Sequence, residues 1–120
     1  MPKVIHFELP ADDPERAVAF YEQVFGWTIT KWEGPMDYWL ITGGPDDEPG
    51  INGAIMARQH PQQPTVNYVD VASIDAAIEK ATKLGAKVAL PKTSVPGVGA
   101  YAAIIDPQGN ICGLWEQLAK

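Results

Sequence analysis

The feature that most constrains this chain is an order of local signals that occurs twice. A strand-like run ending in His6-Phe7-Glu8-Leu9 passes through Pro10-Ala11-Asp12-Asp13-Pro14 into an amphipathic helix that stops at Gly26, and three strand-like runs follow. From Val66-Asn67-Tyr68-Val69 the order begins again: a strand, Ser73 as a cap, an amphipathic helix stopped by Gly85, and three more strand-like runs. A βαβββ module repeated about sixty residues apart leaves few folds open. The expected class is α+β, with two modules forming a curved mixed β-sheet (half-barrels) around a shared cup and the helices on the outer face. Residues 1–120 are expected to be one domain: module one over about 1–58, a linker over about 59–64 and module two over about 65–120.

The local chemistry agrees along the chain. From Lys3 to Leu9 the residues alternate, with Ile5, Phe7 and Leu9 on one face and His6 and Glu8 on the other, as in a strand covered on one side. Asp13 stands at an N-cap position, Pro14 at the first helical position and Glu15 near the positive end of the helix dipole. Ala17, Phe20, Tyr21, Val24 and Phe25 follow at helical spacing and predict a stripe packed on the sheet. Strands are expected over Trp27 to Trp32, Tyr38 to Thr42 and Gly53 to Arg58, and Gln59-His60-Pro61-Gln62-Gln63-Pro64 reads as the linker. In module two a strand over Thr65 to Val71 precedes a helix whose stripe is Ile74, Ala77, Ile78, Ala81 and Leu84. Strands near Lys87–Leu90, Ala100–Ile105 and Ile111–Gln117 complete it, with Asp106-Pro107-Gln108-Gly109-Asn110 as a hairpin loop.

Charge narrows the partners. Nine basic against fifteen acidic residues give a net charge of −6, which argues against nucleic acid and anionic membrane. Asp12-Asp13-Glu15 and Asp46-Asp47-Glu48 fall in turns and read as solvated loops. No apolar run approaches the roughly 18 residues that span a bilayer, and the N-terminus shows no signal-peptide pattern. The single cysteine, Cys112, has no internal disulfide partner and is expected to face the helix layer as a small apolar residue. A cytoplasmic location is the expectation.

His6-Phe7-Glu8-Leu9 with Asp13-Pro14, Phe20-Tyr21 with Phe25-Gly26-Trp27, and the Asp106-Pro107-Gln108-Gly109-Asn110 hairpin resemble the vicinal oxygen chelate superfamily. That group holds glyoxalase I, extradiol dioxygenases, fosfomycin-resistance enzymes and bleomycin-binding proteins. The scaffold hosts several chemistries, so the resemblance implies fold more than reaction. The family's metal ligands project onto His6, Ala54, Asn67 and Gly113, of which only His6 is a good ligand. Glu8, two residues on, is the one substitute. No metal ligand set and no cofactor are therefore expected, a divalent metal being the less favoured alternative. The resemblance also implies a homodimer, and four tryptophans on so small a chain agree with that.

By the two-residue period, the cup is expected to be faced by His6, Glu8, Ala54, Met56, Asn67, Val69, Gly113 and Trp115. Ala54 and Gly113 would leave room beside an aromatic wall. The ligand-binding residues are then His6, Glu8, Met56, Asn67, Val69 and Trp115. His6 and Glu8 are the candidate acid–base pair, with the carboxylate expected to raise the imidazole pKa. The leading reading is a metal-free protein that binds or sequesters an apolar or aromatic small molecule. The alternative is a glyoxalase-related lyase or isomerase, or a dioxygenase-like enzyme, that uses His6 with or without a divalent metal.

Overall fold

The structure, a computed structural model, describes residues 2–34 and 36–118. Its elements are β1 (Val4–Ala11), α1 (Pro14–Phe25), β2 (Thr28–Lys31), β3 (Tyr38–Thr42), β4 (Asn52–Ala57), β5 (Val66–Asp70), α2 (Ile74–Lys83), β6 (Lys87–Val95), β7 (Gly99–Ile105) and β8 (Ile111–Gln117). This is the duplicated βαβββ order, in an α+β chain. Two compact units emerge: His6–Thr65, and Val66 onward together with the start of the chain through Ile5. Among the described residues no helix is long and apolar enough to cross a membrane.

In the first unit the strand order is β2-β3-β4-β1. β1 and β4 run parallel, with Phe7 beside Gly53, Glu8 beside Ala54 and Leu9 beside Ile55. β3 is antiparallel to both β4 and β2. In the second unit β5 pairs parallel with β8, β8 antiparallel with β7, and β7 antiparallel with β6. The start of the chain joins this unit through the Asp70 N–H, which donates to the Lys3 carbonyl at 3.0 Å.

Capping follows the local sequence. The Asp13 carboxylate accepts from the Arg16 N–H at 3.2 Å, and Gly26 closes α1 in the left-handed conformation at φ 71°. Ser73 Oγ accepts from the Ala76 N–H at 3.1 Å, and Glu116 supplies a second acceptor for the Ile74 N–H at 2.8 Å. Asp106 takes the Gln108 and Asn110 N–H groups at 2.8 and 3.0 Å, which tightens the hairpin and holds its carboxyl below the usual range.

The second unit's core is Ile74, Ala100, Ala102 and Leu114, with Val71, Ala77, Ile78, Ile104 and Cys112 packed against it. Cys112 thus lies on the helix side, where burial pushes its thiol pKa up. In the first unit Ile41, Ala54 and Ile55 are buried.

Three expectations are corrected. The apolar stripe of α1 is only partly used: Phe20, Val24 and Phe25 are exposed, while Ala17, Val18 and Tyr21 turn toward the sheet. The aromatic rings pack on each other instead, Phe20 edge-on to Tyr21 at 5.1 Å and Phe25 stacked on Trp27 at 5.0 Å. Leu84, at the end of α2, is 71% exposed, because the helix stops at Lys83 and Leu84 is its cap. β6 continues past Leu90 through Pro91 to Val95, with register shifts on either side of Leu90. Proline is tolerated there because the strand ends the order and its ladder is irregular.

The Gln59–Pro64 segment is tied down by Arg58. Its guanidinium donates to the Gln63 carbonyl at 2.5 Å and the Pro10 carbonyl at 3.2 Å, and pairs with Asp12 at 3.0 Å.

The parallel β1–β4 pairing depends on a missing side chain. A Cβ at Gly53 would stand 2.5 Å from the Phe7 carbonyl oxygen and 2.7 Å from the Phe7 ring. Backbone cannot yield as a side chain can, so Gly53→Ala should destabilise the fold by about 1–3 kcal/mol, as overpacking does. Urea unfolding of the two proteins measures this, and an unchanged midpoint would show that the strands are further apart than described.

Candidate functional site

The parallel register sorts β1 into two faces. His6, Glu8 and Pro10 stand beside Asn52, Ala54 and Met56 of β4. From the other side β3 brings Tyr38 opposite Met56 and Leu40 opposite Ala54. One face of the first unit therefore carries His6, Glu8, Tyr38, Leu40, Ala54 and Met56. Ala54 is fully buried, so no gap opens there: Glu8 and Leu40 flank it in register.

Three polar side chains meet on this face. The Tyr38 hydroxyl donates to Glu8 Oε2 at 2.5 Å and lies 2.8 Å from His6 Nε2. A hydroxyl has one proton, and Tyr38 gives it to Glu8; it can meet His6 only by accepting. The neutral imidazole is accordingly the Nε2–H tautomer, in a chain running His6 Nε2–H to Tyr38 O–H to the Glu8 carboxylate. His6 Nε2 and Glu8 Oε2 are 3.9 Å apart, with the phenol between them. Trp32 fixes Tyr38 from the side: its N–H donates to the Tyr38 carbonyl at 2.7 Å, and the two rings meet edge to face at 6.0 Å.

Electrostatics at His6 runs against the expectation from sequence. Its pKa is lowered from 6.5, first by burial, with the Glu8 charge opposing that and losing. The side chains are 28% and 14% exposed for His6 and Glu8, so desolvation penalises the imidazolium more than the neighbouring carboxylate supports it.

Of the other expected residues, Met56 shares the His6 face. Asn67 and Val69 do not share a face with Gly113 and Trp115. β5 is registered with Tyr68 beside Gly113 and Asp70 beside Trp115, while Val69 pairs with Leu114 on the helix side. The expected register is off by one residue, which moves every side chain of β5 to the opposite face. The small residue at 113 serves Tyr68: a Cβ there would stand 2.5 Å from its ring. Tyr101 joins the same face opposite Trp115. His60 is exposed, and its Nδ1 accepts from the Gln62 N–H at 3.2 Å.

Tyr38 and Leu40 were missed because the period-two reading covered only the first and last strands of each module. The alternation Tyr38-Trp39-Leu40-Ile41 in β3 carried the signal: a phenol and a leucine on the face opposite Ile41, which is buried.

A divalent transition metal does not fit these residues. Among the described residues no three His, Cys, Asp or Glu side chains are grouped to hold one. The Nε2 of His6 is already engaged with Tyr38, and Ala54 has no donor atom to add.

Comparison with known proteins agrees with the fold. Residues 3–113 match the Glyoxalase/Bleomycin resistance protein/Dioxygenase superfamily. The chain is 32% identical over 111 residues to "Putative glyoxylase CFP32" of Mycobacterium tuberculosis, covering 87% of this chain and 40% of that protein. It thus spans two fifths of that relative's length. Among solved structures, methylmalonyl-CoA epimerase from Mycobacterium tuberculosis superposes with a TM-score of 0.71 at 12% identity, covering 97% of this chain and 88% of the other. A superfamily member from Vibrio splendidus 12B01 gives 0.68 at 18% identity, covering 98% and 100%.

The lowered imidazole pKa sets the sign of a pH effect. The folded state holds the His6 proton less tightly than the unfolded chain, so the stability linked to neutral His6 is complete above 6.5. It should be lost as pH falls through 6.5 toward the folded-state pKa. NMR titration should place the His6 midpoint below 6.5. His6→Gln should flatten the pH dependence of urea unfolding between about pH 5 and 7.

Proposed function

As a member of the glyoxalase/bleomycin resistance protein/dioxygenase superfamily, to which this chain belongs, the protein carries its polar chemistry on one sheet face, and we propose that this face binds an apolar or aromatic small molecule without a metal. The observation that carries the reading is the hydrogen-bonded chain His6–Tyr38–Glu8, half-buried beside Leu40 and Met56. Sites for small molecules combine apolar walls with a few placed polar groups, and this arrangement matches that pattern. Leu40, 41% exposed, and Met56 offer the apolar surface. With their protons already engaged, Tyr38 Oη and His6 Nδ1 offer acceptor lone pairs for a hydroxyl or N–H group on the bound molecule.

The same chain supports a second reading, proton transfer in a lyase or isomerase of the family. An imidazole with a lowered pKa is neutral at pH 7 and can accept a proton. Tyr38 and Glu8 then form a path by which charge developing on His6 is compensated. Isotope exchange from solvent into a bound carbonyl compound separates this reading from simple binding, which leaves substrate hydrogens in place.

Thermal shift against a panel of aromatic and aliphatic compounds that carry a hydroxyl or N–H group tests the site. A ligand that prefers the folded state raises the melting temperature. Tyr38→Phe and His6→Ala should each weaken that ligand by about tenfold, the worth of one hydrogen bond to a polar head group. Zn²⁺, Ni²⁺, Mn²⁺ or Fe²⁺ alone should leave the melting temperature nearly unchanged. A metal bound at a hundred times its dissociation constant would add about 2.7 kcal/mol, a rise on the order of 10 °C. Such a rise, abolished by His6→Ala, would replace the metal-free reading.

A further inference from the structure

The first unit has a concavity toward the other face of β1. It is a cavity of about 300 Å³ under the loop between β3 and β4, at the lower end of the range for small-molecule sites. Because β1 alternates, Phe7 in its floor points away from the face that carries His6 and Glu8. Its ring floor and the His6–Tyr38–Glu8 chain thus lie on opposite faces, although Asn52, which anchors the cavity's loop, is registered beside His6.

Its floor is aromatic. Phe7 and Trp27 lie 6.1 Å apart with their planes inclined by 53°, so the rings form a corner rather than a stack. Ile41, 2% exposed, lies beside them. Trp27 is held in place by Tyr21, stacked at 5.5 Å, and by Phe25 at 5.0 Å. A Cβ at Gly43 would lie 3.7 Å from Trp27 Nε1, so the bare backbone of Gly43 borders the indole edge without covering it. The loop is anchored by the Gly43 N–H, which donates to Asn52 Oδ1 at 3.2 Å.

The rim is anionic. Asp46 and Glu48 line the cavity, and none of its lining side chains is basic. The Glu48 N–H donates to the Pro45 carbonyl at 3.1 Å, closing a turn, and its carboxylate folds back over Gly44, where a Cβ would meet Oε2 at 3.0 Å. Neither carboxylate pairs with a cation among the described residues. Solvated turn residues alone would explain the charge, but not its place in one cavity with two inclined rings and a buried isoleucine.

We infer that this cavity binds a small organic cation, an alkylammonium whose charge meets Asp46 and Glu48 while its methyl groups lie against Phe7 and Trp27. Ring faces attract cations that carry their charge on apolar methyl groups, and the carboxylates add a direct charge contact. A hard metal ion would use the carboxylates but gain nothing from the aromatic floor, since it keeps a polar shell.

Choline, a quaternary ammonium, and 3,3-dimethylbutan-1-ol, its neutral carbon isostere, test the assignment on the intact chain. The Trp27 indole N–H resonance should shift saturably with choline. The neutral isostere should bind at least about tenfold more weakly, because only the charge differs. The double variant Asp46→Asn, Glu48→Gln changes exposed loop positions only and should weaken choline by a similar factor. The His6 imidazole signals should not move, which keeps this result independent of the sheet-face site. Equal binding of choline and its isostere would overturn the inference, as would choline binding that survives the double variant. So would a Trp27 resonance that does not respond, or Ca²⁺ that displaces choline at the carboxylates.

Discussion

The parallel pairing of β1 with β4 is the constraint from which the rest of the first unit follows. Its register puts Phe7 beside Gly53 and Glu8 beside Ala54, and the period of two does the rest. On one side stand the ionisable groups, His6 and Glu8, with Tyr38 delivered between them by β3. On the other side Phe7 joins Ile41 and Trp27. A slip of one residue would exchange these faces and leave two ionisable side chains against the helix. Two small residues let the strands approach: Gly53 accommodates the Phe7 ring, and Ala54 lies beneath Glu8 and Leu40.

The polar chain on that face is shaped by two opposing effects of burial. Desolvation favours the neutral imidazole, while the Glu8 charge favours the protonated one, and desolvation prevails. Tyr38 makes the outcome tolerable. Its hydroxyl accepts from one partner and donates to the other, so imidazole and carboxylate are both hydrogen-bonded without a direct ion pair at 3.9 Å. The phenol therefore settles both the tautomer of His6 and the orientation of Glu8.

Much of this was readable from residues. Caps at Asp13 and Ser73, stops at Gly26 and Gly85, and the Asp106 to Asn110 hairpin are local chemistry, expressed within a few residues, and they fall where the sequence places them. The face shared by His6, Glu8 and Met56 was likewise legible, because alternation in a strand is local. What was not legible depends on pairing between distant segments. The register of β5 against β8 comes from the fit of Tyr68 over Gly113, and no local pattern reports it. Nor does a stripe of apolar residues say how much of a helix its sheet will cover. In α1 the stripe is wider than the contact, and aromatic rings stack on one another outside it.

The ends of the two strand orders bear on how this chain behaves when crowded. An exposed strand edge offers unpaired backbone groups to any neighbour and is the usual seed of fibrils. Here one end is β2, four residues long and closing on Lys31. The other is β6, nine residues long, which would be the greater hazard. Its ladder is broken twice, Pro91 removes a donor at its centre, and Lys87 and Lys92 place charges along it. Each of these features opposes the pairing of a foreign strand along β6, so the irregularity within this long strand offsets the hazard that its length creates.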